Sequence, residues 1–266
     1  MNGKAIFITG GGSGIGRAMA VLFGARGWTV GLADINEAGM AETSALITDA
    51  PVHSYRLDVR DREQWDKVLA AFAEAAGGRI DVLANNAGIA FGGPLIQLSQ
   101  KEIDALVDIN IRGVIYGAQA AQPWLAKSAP GSCLLNTASA SALYGTPNMA
   151  VYSAGKFAVR GLTEALDVEW ARYGIKVRSL MPGYIDTPLL AHQSNAKTKG
   201  TMREKVLSTG MEFTPVGEVA EAAWNAVHSE RVHWIVGKTA RKLAFLARWA
   251  PGHLRNKMRG GNGRRS

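Results

Sequence analysis

The chain has 266 residues, of which 47% are hydrophobic and 20% charged, and its formal net charge is +8. That is ample apolar material for one α/β core, and it excludes a disordered or low-complexity chain. The basic excess is local: nine Lys/Arg and no Asp/Glu lie from Lys238 onward, leaving 21 basic and 22 acidic side chains before it, a net charge of −1.

Seven short apolar runs alternate with helical patterns: IFIT, TVGLA, HSYRLD, DVLANNAG, SCLLNTAS, KVRSLMPG and HWIVG. Strand–helix alternation with near-continuous apolar strands predicts a doubly wound parallel sheet of about seven strands, with helices on both faces. There is no internal repeat and no interdomain linker, so residues 1–237 are expected to form one domain and 238–266 a basic extension. The chain starts directly in a strand, shows no signal-peptide pattern and holds no apolar run of bilayer length. Its single cysteine, Cys133, sits in an apolar run, where a small core residue is expected. A cytoplasmic location is the default expectation, and no metal site is expected.

Lys4–Thr9 reads as the first strand and runs straight into Gly10, Gly11, Gly12, Ser13, Gly14, Ile15 and Gly16, followed by the helical pattern RAMAVLFGARG. Strand, glycine turn and helix in that order present backbone N–H groups and a helix dipole to a pyrophosphate. The second run ends in Asp34, whose carboxylate can accept both ribose hydroxyls of an adenosine and would repel a 2′-phosphate. No basic residue stands at Ser13, Ile35 or Asn36. Arg17 is the one nearby cation, on a helix start that can simply be solvated. NAD is therefore expected over NADP. A strand-end Asp34 capping the next turn is the plainer alternative.

Further along, Tyr152 and Lys156 are four residues apart, one helical turn on a shared face. A free phenol has a pKa of about 10, and an ammonium beside it favours the phenolate. So placed, Tyr152 can exchange a proton with an alcohol or carbonyl oxygen. Ser139 follows the strand-like CLLNTA, and a strand end can meet a helix start across the loop between them. Taken alone, Tyr-x-x-x-Lys is also an ordinary helix-surface pair.

Together these features resemble the short-chain dehydrogenase/reductase family, over roughly residues 4–237. The matching motifs are Thr9–Gly16, Asp58 in LDV, Asn85-Asn86-Ala87-Gly88, Asn110, Ser139, Tyr152/Lys156, and Pro182-Gly183 followed by Thr187. The resemblance implies a single-domain Rossmann fold, a nicotinamide cofactor and hydride transfer between an alcohol and a carbonyl. It implies a catalytic set of Asn110, Ser139, Tyr152 and Lys156, with Tyr152 and Lys156 also touching the cofactor. Asp58 and Val59 would meet the adenine, though Asp58 also reads as the N-cap of the helix in RDREQWDKVL. Gly88 would let the backbone approach the cofactor while Asn86 and Ala87 shape the strand exit. Asn110 falls inside a long helical pattern from Gln100 to Trp124, and the family reading makes it a kink whose freed carbonyl holds a water in a proton relay from the lysine. Pro182 and Gly183 would close one side of the nicotinamide site, with the Ile185 backbone and the Thr187 hydroxyl on the carboxamide.

The four-residue tyrosine–lysine interval argues against the family's enoyl reductases, and the glycine spacing against its epimerases and dehydratases. Around the expected pocket stand Phe91, Ala140, Ala142, Leu143, Tyr144, Tyr184 and Leu189, with no Arg or Lys to clamp a charged substrate. An apolar secondary alcohol or ketone is the expected substrate. Pro188–Thr214 corresponds to the family's mobile lid, and His192 within it reads as a solvated loop histidine. Two alternatives stay open: an NADP-dependent 3-oxoacyl-carrier reductase, or a non-catalytic nucleotide-sensing protein acting through its tail. A homo-oligomer, dimer or tetramer, joined through the long helices is what the family implies.

The end departs from the family pattern. Leu243, Leu246, Ala247 and Ala250 make one apolar helical stripe, with Arg241, Lys242 and Arg248 elsewhere on the helix. Such a segment can lie on an anionic membrane surface, meet an acidic partner, or cover its own subunit. No nucleic-acid-reading motif accompanies the charge, and no nucleic-acid partner is expected.

Overall fold

A computed structural model describes residues 3–191, 201–208 and 213–262. In chain order its elements are β1 (Ala5–Thr9), α1 (Gly14–Ala25), β2 (Thr29–Asp34), α2 (Glu37–Ala45), β3 (Val52–Arg56), α3 (Arg62–Ala75), β4 (Val82–Asn85), α4 (Gln100–Val107) and α5 (Gly113–Ser128). They continue with β5 (Cys133–Thr137), α6 (Ala150–Trp170), β6 (Lys176–Pro182), α7 (Pro188–Ala191), α8 (Met202–Ser208), α9 (Val216–Val227), β7 (His233–Val236), α10 (Lys238–Trp249) and α11 (Pro251–Asn262).

All seven apolar runs become strands of one parallel sheet in the order β3-β2-β1-β4-β5-β6-β7. The chain winds outward from β1 to β3, returns to the centre and winds the other way from β4. Ligand crevices of such sheets open at the carboxyl ends of the strands where the direction switches, here between β1 and β4.

The strands read as unbroken apolar runs because both faces are covered. Within β1, Ile6 and Ile8 face α1 and α9, packing on Met19, Phe23, Val219 and Ala223. Ala5 and Phe7 point the other way, toward α3 and α5, among Trp65, Phe72, Ala121 and Leu125. Cys133 lies in the first of these cores, where burial pushes its thiol up to about 12, so it is a packing residue and not a nucleophile.

One local expectation needs correction, the cap of α3, and another, the kink at Asn110, is met by a π turn. The N-cap of α3 is Asp61, whose carboxylate accepts from the N–H groups of Glu63 and Gln64; Asp58 lies before the turn and cannot reach those donors. The helical pattern around Asn110 is interrupted: α4 and α5 are joined by a π turn at Asp108–Arg112, and helical structure runs on past Trp124 to Ser128, with Pro123 inside α5.

Candidate active site

The glycine turn is shaped by space. Gly10 and Gly14 have φ of +68° and +52°, a region open to glycine at little cost. A Cβ on Gly10 would lie 2.9 Å from the Asn86 amide, and one on Gly16 only 2.1 Å from the Gly10 carbonyl oxygen. The first turn of α1 holds no acidic residue, and its N-cap, Ser13, is extended and makes no capping bond. The N–H end of α1 therefore points, uncompensated, at whatever sits beyond the loop. Thr9 ties this loop to the β4 exit: its Oγ1 accepts from the N–H groups of Asn86 and Ala87, each at 3.0 Å, and its carbonyl accepts from Asn86 Nδ2 at 2.9 Å.

Asp34 stands at the end of β2. Its carboxylate accepts from Gly12 N and Asn36 N, both at 3.0 Å, which fixes its orientation. Arg17 is not simply solvated. Its guanidinium donates to the Gly12 carbonyl (2.7 Å), Thr43 Oγ1 (3.0 Å) and Glu42 (2.7 Å), locking α1 to α2. The sequence reading overlooked two other cations. Arg56 is the β3 residue paired with Asp34, and Arg60 clasps Asp58 at 2.5–3.0 Å. That clasp holds the Asp58 carboxyl below the usual carboxylate range.

At the other end, β5 delivers Ser139, whose Oγ accepts from Ser141 N at 3.1 Å, and the first turns of α6 deliver Tyr152 and Lys156. Lys156 is buried; its Nζ donates to the Thr137 carbonyl at 2.8 Å and lies 5.7 Å from the centre of the Tyr152 ring. Asn110 is held in the π turn by a reciprocal pair: Nδ2 donates to the Ile89 carbonyl (2.8 Å) and Oδ1 accepts from Ile89 N (3.0 Å). Gly88 is the residue that lets these approach. A Cβ there would sit 3.0 Å from Asn110 Oδ1 and 3.6 Å from Lys156 Nζ.

The electrostatics differ from the expectation that Lys156 makes Tyr152 more acidic. Burial pushes the Tyr152 phenol above its ordinary 10.0, and a hydrogen bond with Ser139 opposes this only in part. Burial lowers Lys156 to about 8. Desolvation penalises the charged form of each, and at this separation it outweighs their attraction.

One cavity of about 1110 Å³ runs between these two ends, beyond the volume of most small-molecule sites. Its walls carry Gly10, Ser13, Gly14, Ile15, Asp34, Asp58, Val59, Asn86, Ala87, Gly88, Ser139, Tyr152, Lys156, Pro182, Gly183, Ile185 and Thr187. Gly16 and Asn110 support the walls without lining them. The expected pocket residues fare unevenly: Tyr184 and Leu189 line the cavity, whereas Phe91, Ala140, Ala142, Leu143 and Tyr144 do not. Ala142 and Leu143 belong to a small separate core with Val159 and Met181. Their place is taken by Ser141 and Thr146–Met149, a loop pinned by Ser153 Oγ to Thr146 N and by the Asn148 carbonyl to Gly93 N. Asn148 has φ +62°, a left-handed position that Asn tolerates, and with Gly145 and Pro147 it marks a turn in the sequence. His192 lies outside the described residues.

The residues fit a dinucleotide on the structure's own terms: a loop with no room for side chains, an uncapped helix start, and an oriented carboxylate one strand away. Comparison with known proteins agrees. The family model "short chain dehydrogenase" matches residues 4–198. The 3-oxoacyl-[acyl-carrier-protein] reductase FabG of Thermotoga maritima is 33% identical over 222 residues, covering 82% of this chain and 85% of that protein. The crystal structure of levodione reductase superposes with a TM-score of 0.80 at 30% identity, covering 90% of this chain and 98% of that one. The 3-ketoacyl-(acyl-carrier-protein) reductase of Brucella melitensis complexed with NADH does so with a TM-score of 0.77 at 30% identity, covering 87% and 96%. The chain belongs to the short-chain dehydrogenase/reductase family of oxidoreductases.

Proposed function

We propose that this protein is an NAD-dependent dehydrogenase/reductase interconverting an apolar secondary alcohol and its ketone. The observation that carries the reading is the continuity of the cavity from Asp34 to the Ser139–Tyr152–Lys156 cluster. Asp34, aimed by two backbone N–H groups, suits ribose hydroxyls and repels a 2′-phosphate, and Arg17 is engaged elsewhere. Apart from Lys156, the charged residues on the cavity wall among the described residues (Asp34, Asp58 and Arg60) belong to the adenosine end. Besides the neutral polar Ser141, Thr146 and Asn148, the wall outside the nucleotide end carries Pro147, Met149, Tyr184, Leu189, Leu190 and Val206, a lining that favours a neutral, largely apolar substrate.

The bound nicotinamide would supply or take up the hydride. Ser139 Oγ orients the substrate oxygen, and Tyr152 takes its proton during oxidation and returns it during reduction. Lys156 holds the ribose and, with a pKa of about 8, exchanges a proton near neutral pH. Asn110 keeps the helix open at the π turn, where its carbonyl holds a water leading from Lys156 toward solvent. The subunits are proposed to assemble as a homo-oligomer through α5 and α6, the latter exposing Phe157 and Val168.

A second reading, a 3-oxoacyl-carrier reductase, draws on the 33% identity to FabG and on the basic C-terminal helices, which could meet an acidic carrier. The Brucella melitensis reductase is complexed with NADH, which supports weighing this reading with the non-phosphorylated cofactor as well. Following reduced-nicotinamide absorbance separates the readings, with hydrophobic alcohols given NAD or NADP and their ketones and an acetoacetyl thioester given NADH or NADPH. Oxidation of the alcohols with NAD and reduction of the ketones with NADH are expected; turnover of the thioester alone would favour the carrier reductase, and activity confined to NADP and NADPH would overturn the reading of Asp34.

A further inference from the structure

The C-terminal helices use their apolar residues in two directions. On α10, Ala240 is fully buried and packs against Gly183 in the cavity wall, while Leu243, Leu246 and Ala247 are half-buried. On α11, Leu254 is buried as well. Of the three uses the sequence left open for the stripe, covering its own subunit is the one these residues serve. Yet Phe245 and Trp249, four residues apart on the opposite side of α10, are 63% and 67% exposed. At 100° per residue, Lys238 projects between these rings, Lys242 falls on one flank, and Arg241 and Arg248 fall on the other. Arg248 stacks on Trp249 with its guanidinium carbon 5.2 Å from the ring centre. Arg255, Lys257 and Arg259 continue the positive surface along the exposed side of α11, and neither helix contains an acidic residue.

We infer that the outward face of α10, with Phe245 and Trp249 at its centre and basic side chains around them, docks the protein on an anionic phospholipid bilayer. Charge and geometry both point to that occupant. Two aromatic rings flanked by cations, on a helix pair with no acidic residue of its own, match an interface whose headgroups are negative and whose acyl boundary takes Trp and Phe. A second copy of the same face would set seven basic residues of residues 238–262 against seven others, which disfavours pairing of copies through this patch. The helix that carries the patch leaves β7 at the carboxyl edge of the sheet and packs its other side on the Ala140–Ala142 turn after Ser139. It is present whether or not the cavity turns over an alcohol.

The test is vesicle flotation of the full chain with phosphatidylcholine alone, or phosphatidylcholine mixed with phosphatidylglycerol, for the wild type and the Phe245→Ser/Trp249→Ser double variant. The wild type should float only with the anionic vesicles and be released by high salt, and the double variant should lose about tenfold or more in partitioning. NADH binding, read by the fluorescence of its dihydronicotinamide ring on direct excitation, should be equal in the two proteins, which shows that the variant is folded. Equal flotation of both proteins, or none by the wild type, would overturn the inference. So would a change in oligomeric state or loss of binding to an acidic carrier protein in the variant without any vesicle binding by the wild type.

Discussion

Lys156 and Asn110 occupy buried positions that few polar side chains tolerate, and each exacts a measurable cost. Lys156 has its ammonium in the interior with a pKa of about 8 instead of 10.5. Between those values the unfolded chain holds more protons than the folded one, so stability must rise with pH across that window and level off at its lower value below it. Relative to Lys156→Met, the wild type should gain on the order of 3 kcal/mol in urea denaturation from pH 8 to above 10; parallel curves for the two proteins would show the lysine to be solvated. Tyr152 is raised above 10.0 by burial, so a difference spectrum between wild type and Tyr152→Phe should show no phenolate from this residue below pH 10 in the free protein. A phenolate near neutral pH would mean that Lys156 already activates it. Asn110→Ala removes both hydrogen bonds to the part-buried backbone of Ile89, which lines the cavity, and a loss of about 1–2 kcal/mol is expected in urea denaturation.

At the scale of the elements, the glycine turn and the two strand ends beside it define the nucleotide end. Gly16→Ala places a methyl 2.1 Å from the Gly10 carbonyl oxygen, which neither backbone can yield without moving the loop. It should cost roughly 3 kcal/mol or more and abolish nucleotide binding in a fluorescence titration; tight binding by the variant would remove the loop from the site. Asp34→Ala should weaken NAD about tenfold and narrow its margin over NADP. The glycine turn was legible in the sequence because glycines at a close approach between a strand and a helix have little other use, whereas Asp34 also holds the next turn through Asn36 N, a use the sequence could not separate from ribose binding. Asp58 was harder to read. Both Asp58 and Asp61 precede α3, and only geometry shows that Asp61 caps it while Arg60 takes Asp58. The wall from Ser141 to Met149 escaped notice for a related reason: its shape comes from single hydrogen bonds between loops, which leave no periodic trace.

For the whole molecule, the seven strands could be read directly because a sheet covered on both sides demands unbroken apolar runs, whose lengths and spacing leave little choice of fold. The C-terminal helices show the limit of the same reasoning. Period alone picked out Leu243, Leu246, Ala247 and Ala250 as one face, but which face meets the protein depends on where β7 releases the chain, and the exposed Phe245 and Trp249 emerge only from that placement.

Everything proposed for catalysis converges on the Tyr152 hydroxyl, so the most direct measurement is steady-state oxidation of a hydrophobic secondary alcohol with NAD by wild type and Tyr152→Phe, with NAD affinity titrated in parallel. Turnover should drop by about 10³-fold while NAD affinity stays within about twofold, since the ring remains and only the proton carrier is gone. A Tyr152→Phe variant that turns over at the wild-type rate would contradict the account.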